Sequence, residues 1–123
     1  MTKQTEAALQ RAVVQYLTLA LPPHEALFWH TPNGGWRARA TAGRLKAEGV
    51  MPGVADIVIV WKGRCIAIEL KAKTGSQSKA QKVWADHFTL AGGAYAVCRS
   101  VEAVERFLDA AGINLRASVG GAS

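Results

Sequence analysis

The segment from Asp56 to Lys71, DIVIVWKGRCIAIELK, limits what this chain can fold into more than any other stretch. Two apolar, β-branched runs flank a Lys62-Gly63 pair, which is the signature of a β-hairpin with a tight turn. A two-residue turn sets Trp61 against Arg64 and, further along, Asp56 directly opposite Glu69. Opposed residues share a face with Cβ atoms about 4.5–5.5 Å apart, where like charges repel unless something positive lies between them. A divalent cation is the natural candidate. Period-two alternation adds Lys71 to that face and turns Ile66, Ile68 and Leu70 into a core. The register is what matters, because a one-residue slip would put the two acids on opposite faces.

The 123 residues, half of them apolar, suffice for one compact domain, expected over residues 1–115 with a frayed tail at 116–123. No apolar run reaches the roughly 18 residues of a bilayer span, and the N-terminus lacks a signal-peptide core, so a soluble cytoplasmic protein is expected. Cys65 and Cys98 have no CxxC spacing and read as buried free thiols rather than a disulfide or zinc site. The net charge of +6 is concentrated: between Thr31 and Lys82, ten Lys or Arg face three acids, Glu48, Asp56 and Glu69. A basic field around a small acidic cluster suits a polyanion delivered to a metal, and nucleic acid is the commonest polyanion. A basic surface kept for solubility is the plain alternative.

Thr2 can cap a helix from about Lys3 to Ala20, ended by Pro22-Pro23. Glu6 in its first turn suits the helix dipole, or serves as a further metal ligand. A short strand, Ala26 to His30, precedes a turn-rich loop containing Asn33 and Gly34. Trp36, Arg37, Arg39, Arg44 and Lys46 then run into a short helix closed by Gly49. The arginines suit phosphate contact; Trp36 is either a stacking platform or core. After the hairpin, Ser78 to Gln81 reads as a capping box opening a helix whose apolar stripe is Ala80, Val83, Trp84, His87 and Leu90. A strand from Ala94 to Arg99 and a helix capped by Ser100 complete the order. Helices alternating with strands imply an α/β fold with a central mixed sheet flanked by helices, the hairpin at its middle.

Metal-assisted phosphodiester cleavage needs carboxylates for the cation, a water made more acidic, and a positive group for the charge growing on phosphorus. Asp56, Glu69 and Lys71 supply those groups. Gly53-Val-Ala-Asp56, Ile68-Glu69-Leu70-Lys71, Gly75, Ser78, Gln81, Trp84, Gly93 and Tyr95 together resemble the VRR-NUC (virus-type replication-repair nuclease) domain of the PD-(D/E)xK nuclease superfamily, as does the loop from Pro32 to Gly35. Ala55 stands where the superfamily name has proline. The resemblance implies a restriction-endonuclease-like core and a hydrolase, a DNA endonuclease using Mg²⁺ or Mn²⁺. By it, Asp56 and Glu69 bind metal with the Leu70 carbonyl and Glu6, and Lys71 orients the attacking water. Gln81 matches a motif glutamine, although its capping role explains it equally well. His30, Lys73 and Lys79 are substrate neighbours. Compact members of the family imply branched DNA such as four-way (Holliday) junctions or flaps, DNA repair, and a homodimer offering two sites. A non-catalytic nucleic-acid-binding module and a linear-duplex nuclease are the rival readings.

Overall fold

A computed structural model describes residues 5–32 and 39–120, the side chains of 39–42 excepted. The elements run α1 (Glu6–Ala20), β1 (Ala26–His30), α2 (Arg39–Ala47), β2 (Ile57–Trp61), β3 (Arg64–Leu70), α3 (Lys79–Leu90), β4 (Ala94–Cys98) and α4 (Val101–Ala110). The strands form one sheet in the order β1-β2-β3-β4, so the hairpin is central as expected. β1 and β3 pair antiparallel to β2, whereas β4 runs parallel to β3 across the α3 crossover.

The hairpin turn has two residues. Lys62 and Gly63 adopt φ of 48° and 78°, the double positive φ of a type I′ turn, whose twist matches that of the strands. Trp61 therefore pairs with Arg64 and Ile57 with Ile68, the register read from the sequence. The Lys62 ammonium meets Glu25 at 3.3 Å and lies over the Trp61 ring.

One face of the sheet carries Ile57, Ile59, Trp61, Ile66, Ile68 and Leu70 into the core, where they meet Leu9, Val13 and Leu17 of α1 and Val104 and Leu108 of α4. α3 packs on β4 and reaches Glu69 on the other face. The result is a mixed sheet between helices, the expected α/β architecture.

Four expectations are corrected. α1 begins at Glu6, capped by Thr5, whose Oγ1 accepts from the Ala8 amide, because that hydroxyl falls three residues before an available donor; Thr2 and Lys3 lie outside the described residues. The stripe proposed for α3 is displaced: Val83, His87 and Leu90 are exposed, while Trp84, Ala85 and Phe88 turn inward. Cys65 is exposed and only Cys98 is buried, since Cys65 lies near the hairpin tip on the sheet face away from α1 and α4. Residues 116–120 are no frayed tail. The Arg116 amide donates to Ala20, the Tyr16 hydroxyl to the Ala117 carbonyl at 3.0 Å and the Val119 amide to Glu105, and Ala117 and Val119 pack against the core.

Candidate nuclease centre

Asp56 sits one residue before β2, and its position is fixed from three directions. Its Oδ2 accepts the Leu70 amide at 2.7 Å, so a side chain continues the ladder where the strand stops. Its carbonyl accepts the Thr31 amide at 2.9 Å and His30 Nδ1 at 2.7 Å, which commits that ring nitrogen to carrying a proton. On its approach, Gly53 has φ of +76°, and a Cβ there would lie 2.3 Å from the Ala80 carbonyl oxygen. Only glycine lets the Pro52-Gly53 turn press against the start of α3.

Glu69 and Lys71 are buried although both are charged types, 1 % and 8 % exposed. Lys71 Nζ lies 3.6 Å from Glu69 Oε2, and the Gln81 amide nitrogen donates to the same oxygen at 2.9 Å. The Gln81 side chain meanwhile completes the capping box: Oε1 accepts from the Ser78 amide while Ser78 Oγ accepts from the Gln81 amide. One side chain thus both caps α3 and hydrogen-bonds Glu69.

Burial first, and then the charge of and hydrogen bonding with Asp56, push the Glu69 carboxyl up to about 8; Lys71 pulls the other way. Glu69 Oε1 is buried and has no hydrogen-bond partner. A stranded carboxylate oxygen beside a second carboxylate is a donor set short of a cation, since buried acceptors are otherwise nearly always paired. Among the described residues no three His, Cys, Asp or Glu side chains converge on a metal position. Mg²⁺ nevertheless fits, because it is commonly held by one or two carboxylates with waters and substrate phosphate completing its octahedron.

A cavity of about 320 Å³ opens beside Asp56, lined by Glu6, Gln10, Arg11, His30, Asp56 and Leu70 with Ala7. Glu6 therefore borders the site at its rim without joining a three-ligand cluster. Gly75 occupies the space between Glu6 Oε2 and the Lys71 stem, each 3.6 Å from where its Cβ would be. Arg99 pins the turn after β3 by donating to the Ala72 carbonyl at 2.7 Å. Trp84 stacks on Phe88 with centroids 4.7 Å apart and meets Tyr95 at 6.1 Å, so its motif position supports α3 against β4.

Of the residues expected to touch nucleic acid, Lys73, Lys79, Arg44 and Lys46 are exposed. Asn33, Gly34, Trp36 and Arg37 lie outside the described residues, and Arg39 opens α2 without a described side chain. Gln10 and Arg11 escaped the sequence reading. Their available signal was helical spacing, because Gln10 lies one turn beyond Glu6.

Comparison with known proteins bears on the fold and the family. No curated protein matches the chain. A solved structure described as a VRR_NUC domain protein superposes with a TM-score of 0.63 at 17 % identity, covering 88 % of each chain. That likeness establishes the fold. The family model for the VRR-NUC domain matches residues 3–102, most of the chain and every element from α1 to β4. The chain therefore belongs to the VRR-NUC family of nuclease-type domains.

Proposed function

We propose that this protein is a metal-dependent, structure-selective DNA endonuclease acting on branched DNA such as four-way junctions or flaps. The observation that carries the reading is the buried Glu69 carboxylate, with one oxygen unpartnered, against Asp56 and 3.6 Å from the Lys71 ammonium. Asp56 and Glu69, with the Leu70 carbonyl, are the groups that would hold Mg²⁺ or Mn²⁺, and Glu6 at the cavity rim would act on the ion through its bound waters. The ion supplies a Lewis acid and a more acidic water when bound. Lys71 then orients the attacking water and offsets charge growing on the phosphorus oxygens, in a setting too buried for bulk water to screen it. Gln81 holds Glu69 in place from α3. Arg37, Arg39, Arg44, Lys46, Lys73 and Lys79, with the loop at Asn33 and Gly34, track the phosphate backbone, which makes affinity fall with salt. Two copies of the chain related by a twofold axis present the two centres that paired cuts across a junction require.

Cleavage of a four-way junction, a flap, a single strand and a linear duplex, assayed side by side in Mg²⁺ and Mn²⁺, tests this. Branched substrates are expected to be cut fastest, with Asp56→Asn and Lys71→Ala each slower by about a hundredfold or more. Equal cutting by those variants would remove the site assignment, and metal-independent binding without cleavage of any substrate would make the protein a non-catalytic DNA-binding module.

A further inference from the structure

The cavity beside Asp56 has walls of two kinds. Asp56, Leu70 and Glu6 offer acceptors, whereas Gln10, Arg11 and His30 offer donors. The proton on His30 Nδ1 is already given to the Asp56 carbonyl. Gln10 is different. It lies at the edge of the buried face of α1, between fully buried Leu9 and exposed Arg11, and its Nε2 is sealed from solvent with no hydrogen-bond partner. Such a donor forfeits its hydration and recovers nothing, so it persists where a ligand completes it. An amide nitrogen cannot ligate a cation, and the missing partner must be an acceptor. The neighbouring Arg11 selects an anionic one.

We propose that Gln10 is a catalytic residue that touches the substrate: turning from its sealed position into the cavity that the residue lines, its amide nitrogen donates a hydrogen bond to a non-bridging oxygen of the phosphodiester seated at the Asp56/Glu69 pair. The assignment rests on the nuclease reading. The contact fixes the phosphate from the α1 side, opposite Lys71 and Gln81, so the reacting group is gripped between two elements distant in sequence.

The test uses the full chain with Gln10→Leu and Gln10→Glu, a fluorescent four-way junction, anisotropy titrations in Ca²⁺ and in EDTA, cleavage in Mg²⁺, and thermal denaturation. Gln10→Leu is expected to weaken junction binding in Ca²⁺ about ten- to hundredfold and to slow cleavage at least as much. In EDTA, where the basic surface alone holds DNA, its affinity stays within twofold of wild type. Its Tm is unchanged or higher, because an apolar side chain of similar shape removes an unpaired donor. Gln10→Glu, an acceptor facing an anion, is expected to bind still more weakly in Ca²⁺. Three results overturn the proposal: Gln10→Leu binding and cutting as wild type does; losses equal in Ca²⁺ and EDTA together with a lower Tm, which is a structural role; or Gln10→Glu retaining full affinity, which assigns the contact to the amide oxygen. A wild-type protein that cuts no DNA fails at a separate point, because the nuclease reading itself then falls.

Discussion

Glu69 concentrates the electrostatics of the site in one side chain. Its carboxyl titrates near 8 in the fold against 4.5 ordinarily, because burial and the neighbouring Asp56 both disfavour its charge. The folded protein therefore keeps a proton that the unfolded chain surrenders. That contribution to stability is complete below about pH 4.5 and is lost as pH rises toward 8, with a slope of at most about 1.4 kcal/mol per pH unit. Urea denaturation of the metal-free protein across this window is expected to show stability falling for wild type relative to Glu69→Gln, which keeps the shape and has nothing to titrate. A constant difference between the two curves would mean that Glu69 ionises like a surface acid. The same residue explains a misreading of the sequence. Gln81 turns inward to reach Glu69, and a polar residue on the inward face of α3 disguised that face, so apolar but exposed Val83 and Leu90 drew the stripe aside.

Among the elements, the register of the hairpin was legible in full. A Lys-Gly turn of two residues leaves one register, which fixes every facing pair down to Ile57 and Ile68 and carries Asp56 alongside Glu69. The capping residues Ser78 and Ser100 were equally legible, since each has a hydroxyl three residues before a free amide. Contacts between remote segments were not, and Gly53 is the clearest case. Its Pro-Gly pair announced a turn, but nothing local announced that α3 lies against it. Gly53→Ala combines a positive φ with a clash against the Ala80 carbonyl. It is expected to cost at least about 1–2 kcal/mol in chemical denaturation. It should also slow cleavage, because the approach to Asp56 and the start of the helix bearing Gln81 move together. A fully stable, fully active variant would mean that the two segments are independent.

For the whole molecule, the C-terminal segment closes the fold that the family match leaves open after residue 102. Small residues beyond Leu115 carry no helical or strand period, which is why the sequence presented them as a tail. In the structure residues 116–120 lie across the end of α1, where Tyr16 is buried and its hydroxyl, pushed up to about 12 chiefly by burial, donates to Ala117. A chain ending at Leu115 strands that hydroxyl and the Ala20 carbonyl, and it is expected to be less stable by about 1–3 kcal/mol per unpaired group. Circular dichroism melts of the shortened and complete chains measure this; identical melts would return residues 116–120 to the status of a tail.

The hydrogen bond from the Leu70 amide to Asp56 gives the site its own spectroscopic handle. A backbone N–H that donates to a carboxylate takes its chemical shift from the field at that carboxylate, so a single nitrogen-15 resonance reports a cation arriving at the Asp56 side chain. It does so with no dye or substrate analogue in the cavity.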